Sequence, residues 1–233
     1  MIINLNKYAA EVAAYIKHAE KFVARPFHSR LRMTLEDLEN GLDRRRPFKW
    51  RTAEAIRTID TTRYDRRQGD NEPIFATIGF HASFVAPANH KSNDWTVEEM
   101  VTHLLIFRAG AEEEPVMHFH VDKKNADQLG PELHMQVSER FTERLGMKLA
   151  VPRIPSGFLL PTDCLDFILS ELFSADWPRE QSGAHALTTL RLAQLERARG
   201  FVAAVDAAWR KSLRQTPISV LQDCKFEPAI RLA

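Results

Sequence analysis

The chain has 233 residues, of which 44% are hydrophobic and 27% charged, and its formal net charge at pH 7 is +1. It is long enough to bury a sizeable core without disulfides or structural metals, and its composition is that of an ordinary soluble protein. No apolar run approaches the roughly 20 residues that a membrane span needs, and the first residues lack a charged leader followed by an apolar block, so we expect a cytoplasmic protein without membrane partners.

The first predicted element is an amphipathic helix. Apolar side chains recur at spacings of three and four from residue 5 to residue 23, which is the stripe of a helix with one buried face. Asn4 is a candidate N-cap, and Pro26 ends the pattern.

A second, shorter helix is predicted from Leu35 to Arg45. Thr34 is its candidate N-cap, and Pro47 stops it. Helix is also favoured from Thr52 to Ile56, at the start of a stretch whose pattern is otherwise ambiguous. We therefore expect an N-terminal helical part over residues 1–67.

The same N-terminal part is basic. Residues 25–67 hold 12 Lys and Arg against 7 Asp and Glu, whereas residues 68–139 hold 4 against 12. A positive stretch of this density favours contact with the phosphates of nucleic acid. The residues expected to make that contact are Arg44, Arg45, Arg46, Lys49 and Arg51. The alternative is a solvated helix face or a surface that packs near the acidic region, because the acids are interleaved with the bases.

From residue 74 onward the periodicity changes from helical to alternating. A half-buried strand is predicted over Ile74 to Val85, and a mainly apolar one over Val101 to Arg108. Two further strands are predicted over Val116 to Asp122 and Leu133 to Ser138. Because local turns join the four strands, they predict an antiparallel meander.

Helices are predicted again after an extended link at Val151 to Pro155. One helix opens at Thr162 and is expected to end near Trp177, and a longer one is expected from about Ala184 to Leu213, with Val202 on its apolar side and the arginines opposite.

Together these elements predict an α+β protein whose central antiparallel sheet has at least four strands in a meander, flanked by N-terminal and C-terminal helices. We expect one domain over residues 1–233, with the sheet in residues 74–138 and the C-terminal helices in residues 162–214. Cys164 and Cys224 belong to no Cys-x-x-Cys pair, which argues against a zinc knuckle or a redox motif. Both are interpreted as core or helix-face residues.

The predicted sheet has one face rich in histidine, because alternate side chains of a strand point to the same side. The side chains expected on that face are His81, Ser83, His118, His120, Asp122, His134 and Gln136. His103 lies within the apolar strand instead and is expected to be a core or edge residue. An ordinary sheet surface in contact with water carries the same residue types, and that remains an alternative interpretation of the histidines.

Three of these histidines predict a metal site. His118 and His120 lie about 7 Å apart at the backbone of one strand, close enough to share an ion, and His134 from the next strand completes the set. Asp122 or Gln136 is expected as a fourth ligand or as a partner of one. The His-x-His strand resembles that of cupin metal sites. A divalent metal such as zinc is therefore the expected cofactor, and it would lower the pKa of a water nucleophile.

The segment Phe80 to Phe84, with the sequence Phe-His-Ala-Ser-Phe, resembles one half of the paired His-x-Ser/Thr signature of the 2H phosphoesterases. The resemblance implies that two histidines act as general base and general acid on a phosphodiester while hydroxyl groups hold the phosphate. On this chain the first histidine is His81, its hydroxyl partner is Ser83, and the second histidine is His118 or His134.

A wider pattern covers roughly residues 116–178. A histidine-bearing strand is followed by Arg153-Ile154-Pro155 and then by an apolar helix around Leu165 to Leu169. This order resembles bacterial families of unknown function that are found among defence-associated genes. The resemblance implies no reaction and supplies no catalytic residue.

The sequence therefore favours a protein whose histidine-lined face binds a small anionic ligand, a nucleotide or a partner protein, within a bacterial defence system. The expected ligand-binding residues are Ser83, Asp122 and Gln136. One alternative is a metal-dependent or histidine-based phosphoesterase with the candidate catalytic residues His81, His118, His120 and His134. The other is a nucleic-acid-binding module that uses the basic stretch. The sequence does not decide among them.

Overall fold

The structure is a computed structural model that describes residues 1–64, 72–89, 91–123, 131–137, 153–157, 159–183, 185–212, 214–223 and 231–232. It confirms an α+β fold with a central antiparallel sheet and helices at both ends of the chain. The predicted strand end at Ser138 and the cysteine Cys224 lie outside the described residues. None of the helices in those ranges is long and apolar enough to cross a membrane.

One sheet contains the strands of the described chain. They are β1 (Ile2–Asn4), β2 (Phe48–Arg51), β3 (Ile56–Arg57), β4 (Ile74–Val85), β5 (Asp94–Arg108), β6 (Met117–Lys123), β7 (Leu133–Val137), β8 (Ile154–Pro155) and β9 (Arg231–Leu232). The order across the sheet is β2-β4-β5-β6-β7-β8, with β3 also paired to β4 and β1 paired to both β5 and β9. The consecutive antiparallel pairing of β4, β5, β6 and β7 confirms the predicted meander.

Within the described ranges, two helices lie between β1 and β2 in sequence and four lie between β8 and β9. They are α1 (Leu5–Ala19), α2 (His28–Arg44), α3 (Pro161–Leu172), α4 (Asp176–Gly183), α5 (His185–Lys211) and α6 (Pro217–Asp223). Short 3-10 turns at Glu20–Phe22 and Arg25–Phe27 connect α1 to α2.

The N-terminal helices differ in how well the sequence predicted them. The Asn4 side chain accepts a hydrogen bond from the Lys7 backbone N–H at 3.0 Å, which confirms it as the N-cap of α1. The predicted start of α2 is wrong, since the helix begins at His28. Thr34 is a buried residue inside the helix, and its hydroxyl donates to the Leu31 carbonyl at 2.7 Å.

The helix favoured at Thr52 to Ile56 is also wrong, because β2 and β3 flank this segment and both pair with β4. Tertiary packing determines the outcome. Trp50 is almost fully buried, and its indole N–H donates to the Thr34 carbonyl at 2.6 Å. Its ring packs on Phe80 with 4.3 Å between ring centroids, so the aromatic contacts favour a strand over the local helix propensity.

One face of the sheet packs against the helices. The alternation in β4 is as predicted, with Ile78, Phe80, Ala82 and Phe84 buried on the helix side. These residues belong to one hydrophobic cluster that also includes side chains from α1, α2 and α3. Since successive side chains alternate, the intervening residues of the strands point away from this core.

The C-terminal helices depart from the prediction in two places. The first helix ends at Leu172, and Trp177 is a fully buried residue of the separate helix α4. Helix α5 matches the predicted long helix, but Val202 is 64% exposed whereas Arg197 is only 5% exposed. Cys164 is buried in α3, as expected of a core residue.

Candidate metal centre on the polar face

The side of the sheet that points away from the core is polar, and we call it the polar face. Residues directly opposite each other in an antiparallel pair share a face, so the strand register identifies its members. They include Lys49, Arg51, His81, Ser83, Glu99, His103, His118, His120, Asp122, His134 and Gln136.

Two rows of side chains cross the strands on this face. The first row joins Arg51, His81, Val101, Asp122 and His134 as successive register partners from β2 to β7. The second joins Gly79, His103, His120 and Gln136 from β4 to β7. The structure thus places the predicted site residues of β4, β6 and β7 on one face of the sheet.

Three side chains at one end of these rows form a group that suits a metal ion, and we call it the histidine cluster. Ligand atoms of His120, Asp122 and His134 all lie within 4.8 Å of one another. The Nδ1 atom of His134 is 2.9 Å from Asp122 Oδ1, and the Nε2 atom of His120 is 3.5 Å from Asp122 Oδ2. The predicted metal ligand His118 is not in this group, and Asp122 occupies the third position.

His134 is the most informative member of the cluster because it is 0% exposed. Neither of its ring nitrogens, nor the Asp122 Oδ1 atom, has a hydrogen-bond partner among the described residues. The 2.9 Å approach between His134 and Asp122 therefore lacks the alignment of a hydrogen bond. A buried polar group left in this state costs about 1–3 kcal/mol, which a bound cation would offset.

The surroundings of His120 favour its neutral form. Burial of the ring lowers the pKa of His120, and the charge of Asp122 opposes that effect only in part. His134 and Arg153 lower the pKa further. A neutral imidazole is the form that binds metals. Arg153 precedes β8, and sequence reasoning did not identify it as a site residue.

A second pair of imidazoles lies beside the histidine cluster. His103 Nδ1 is 3.3 Å from His118 Nε2, and the His103 ring centroid is 5.7 Å from that of His120. Partial burial lowers the pKa of His103, and the neighbouring imidazoles of His118, His120 and His81 lower it further. The prediction that His103 is a core or edge residue is wrong, since it is exposed on the polar face of a central strand.

His81 and Ser83 lie on the polar face, separated from the histidine cluster by β5. His81 Nε2 is 3.2 Å from Glu99 Oε1, so a carboxylate lies beside the imidazole. Ser83 is buried, with Lys49 and Glu99 as its register partners. The two residues therefore share the polar face with the histidine cluster without contacting it.

The predicted nucleic-acid-binding residues are divided between two places. Arg45 ends α2 in a left-handed conformation, with φ of 50°, and its guanidinium donates to the Ser92 carbonyl at 2.7 Å and to Asn93 Oδ1 at 3.0 Å. It therefore stabilises the end of the helix. Arg44 and Arg46 are exposed beside it, whereas Lys49 and Arg51 extend from β2 on the polar face.

Comparison of the chain with protein-family models, with curated proteins and with solved structures finds no match. A proposal about function therefore has to be based on the residues of the polar face.

Proposed function

We propose that this protein is a divalent-metal-dependent phosphoesterase whose metal is bound by His120, Asp122 and His134. The observation that carries the proposal is the state of His134, a fully buried imidazole whose two nitrogens have no hydrogen-bond partner among the described residues. A carboxylate oxygen that is also buried and without such a partner lies 2.9 Å away. Two imidazoles and one carboxylate are ligands typical of Zn²⁺ and of other divalent transition metals.

The ligand set favours a catalytic ion over a structural one. Structural zinc sites usually have four protein ligands, whereas catalytic sites have three and leave a position open. The histidine cluster supplies three ligands among the described residues, and these side chains differ in solvent exposure. His134 is fully buried, while His120 retains 20% and Asp122 15% side-chain exposure, so the cluster remains open to solvent on one side.

The charge around the cluster favours an anionic substrate. Arg153 lies close enough to His120 to lower its pKa, and Arg51 belongs to the same cross-strand row as Asp122. In the hydrolysis of a phosphodiester, a water oxygen bonds to phosphorus, the bond from phosphorus to the leaving alcohol oxygen breaks, and a proton passes from the water to that oxygen. A divalent ion would supply charge stabilisation for the phosphoryl oxygens and would lower the pKa of the attacking water.

A second candidate function is a histidine-based phosphoesterase that needs no metal. The contact of 3.3 Å between His103 and His118 favours it, since two neighbouring imidazoles on an exposed face can share the roles of general base and general acid.

Metal binding is tested by titrating the apoprotein with ZnCl₂ in a calorimeter and by elemental analysis of protein purified without chelators. We expect one ion per chain and a loss of affinity of more than about 100-fold in Asp122→Asn and His120→Gln, since loss of an outer partner alone costs 10–100-fold. The matched control is His81→Gln, another histidine of the polar face, which should bind zinc as the parent does. Circular dichroism confirms that each variant is folded.

Catalysis is tested with bis(p-nitrophenyl) phosphate before and after treatment with EDTA. Activity that disappears with EDTA and in Asp122→Asn, and returns to the parent protein with added metal, supports the metal-dependent enzyme. Activity that survives EDTA but is lost in His103→Gln or His118→Gln establishes the second candidate instead. A parent protein that binds no stoichiometric ion contradicts the metal proposal.

A further inference from the structure

We infer that the substrate is a single-stranded nucleic acid that crosses the strands of the polar face, with its scissile phosphate at the histidine cluster. The inference rests on the proposed phosphoesterase function and specifies its substrate class. It is carried by the row of register partners that connects Arg51 at one side of the sheet to His134 at the other.

The far end of the row supplies cations for the phosphate backbone. Lys49 and Arg51 are both exposed, and as alternate residues of β2 they point to the same face. Neither has an ion-pair partner within the described part of the chain. Lysine and arginine side chains in this state are the groups that bind nucleic-acid phosphates.

The length of the row favours a polymer over a mononucleotide. Four strand-to-strand steps of about 4.8 Å separate Arg51 from His134, which amounts to roughly 19 Å. That distance corresponds to about five to six stacked nucleotides at a rise of about 3.4 Å each. A single nucleotide at the histidine cluster cannot also contact Arg51, so the two ends of the row fit different phosphates of one strand.

The middle of the face suits bases more than phosphates. Glu99 lies there, 3.2 Å from His81, and its carboxylate repels a phosphate. The exposed ring of His103 and the half-buried ring of His118 lie beside the histidine cluster, where His103 is the register partner of His120, and imidazole rings stack on unpaired bases. Bases are accessible for such stacking in a single strand and are enclosed in a duplex, which is why we assign a single strand.

The inference is tested by the fluorescence anisotropy of a labelled oligothymidylate of about 12 nucleotides, a length within the usual site size of such proteins. EDTA is present, so that the measurement does not depend on a metal. We expect affinity to fall with rising salt concentration. In Lys49→Ala/Arg51→Ala the slope of log K against log salt should become shallower by about 1.4, which is about 0.7 for each lost phosphate contact on a single strand.

The matched control is Arg191→Ala/Arg199→Ala, which removes the same charge from exposed positions of α5. It should keep the parent affinity and slope. Equal losses in the two double variants would show attraction by net charge alone and would overturn the inference. So would competition by polyglutamate as strong as that by unlabelled oligothymidylate, since an acidic protein segment would then be as good a ligand.

Failure of the inference is distinguishable from failure of the proposed function. No oligonucleotide binding together with normal zinc binding overturns the nucleic-acid substrate and leaves a metal enzyme for small phosphoesters. Oligonucleotide binding with the expected slope change supports the inference about the ligand, and zinc titration of the same preparation then decides the proposed chemistry.

Discussion

Two clusters of partly buried ionisable side chains in this protein differ in how far their carboxylates are hydrogen-bonded. The first, which we call the arginine cluster, comprises Glu11 of α1, Asp163 of α3 and Arg197 of α5. Arg197 donates to both oxygens of Glu11, at 2.6 and 2.7 Å, and to Asp163 Oδ1 at 2.8 Å. The other Asp163 oxygen accepts the Leu160 backbone N–H at 2.8 Å. Every carboxylate oxygen of the arginine cluster therefore accepts a hydrogen bond.

The arginine cluster leaves one buried donor, Arg197 Nε, without a hydrogen-bond partner among the described residues, whereas the histidine cluster leaves a carboxylate oxygen and both nitrogens of a fully buried imidazole without one. These atoms are Asp122 Oδ1 and the Nδ1 and Nε2 atoms of His134, and Asp122 Oδ1 lies 2.9 Å from His134 Nδ1. The same chain thus satisfies buried carboxylates where they only connect helices. The difference supports the proposal that the ligand atoms of the histidine cluster bind a cation.

The largest expected effect is a loss of folding stability when the arginine cluster is broken. Arg197→Ala leaves the buried carboxylate of Glu11 and the half-buried carboxylate of Asp163 without their cation, so we expect the free energy of unfolding to fall by about 3–5 kcal/mol. Urea unfolding followed by circular dichroism measures the change. Arg199→Ala, an exposed arginine of the same helix, is the control and should stay within about 0.5 kcal/mol of the parent. A loss below about 1 kcal/mol in Arg197→Ala would remove the distinction between the two clusters.

A smaller effect on stability is expected when zinc binds to the histidine cluster. Zinc at about 100 times its dissociation constant should stabilise the protein by about 2.7 kcal/mol, because the ion binds only the folded cluster. For a chain of this length that corresponds to a rise in Tm of about 5–10 °C. Asp122→Asn preserves the shape of the side chain and should abolish the zinc-dependent rise.

Scanning calorimetry with and without zinc measures this rise, and Arg197→Ala serves as a reciprocal control. It should lower the Tm but leave the zinc-dependent increment intact, because the arginine cluster holds no ligand for the ion. An increment that persists in Asp122→Asn would place the ion elsewhere.

Sequence periodicity was sufficient to predict an element when one of its sides is buried and the other is exposed to solvent. The alternation from Ile74 to Val85 predicted β4 to the residue, and the spacing of His118, His120 and Asp122 placed them on one face. His103 was missed because its neighbours Val101, Leu105 and Phe107 share its face and are apolar, which conceals the alternation in β5. Only the register with β4 and β6 shows which side of the sheet it occupies.

Contacts between distant segments could not be predicted from the sequence for a different reason. Arg197 reads as a solvated residue of a long helix, and only its partners Glu11 and Asp163, far away in the chain, make burial favourable. The replacement of His118 by Asp122 in the histidine cluster likewise depends on the pairing of β6 with β7, which places Asp122 opposite His134. Residue types suggested a metal site, whereas strand register selects its members.

The smallest expected effect on stability concerns a third ion cluster, which is exposed to solvent. Glu180 of α4 accepts hydrogen bonds from Lys21 Nζ at 2.7 Å and lies 2.6 Å from His18 Nδ1. Lys21 is 61% exposed, so we expect Glu180→Gln to reduce stability by less than about 1 kcal/mol at pH 7. A loss comparable to that of Arg197→Ala would mean that burial does not separate the strong cluster from the weak one.

The difference in stability between the parent and Glu180→Gln should decrease as the pH falls. The hydrogen bond from Lys21, and then that from His18, lower the pKa of Glu180 below its ordinary value of 4.5. The carboxylate therefore contributes its full stability above pH 4.5 and loses it as the pH falls through the lowered pKa. Urea unfolding of parent and Glu180→Gln at a series of pH values should give curves that converge in acid. Because the pair is exposed, added salt should narrow the same gap at pH 7, whereas it should leave the loss in Arg197→Ala almost unchanged.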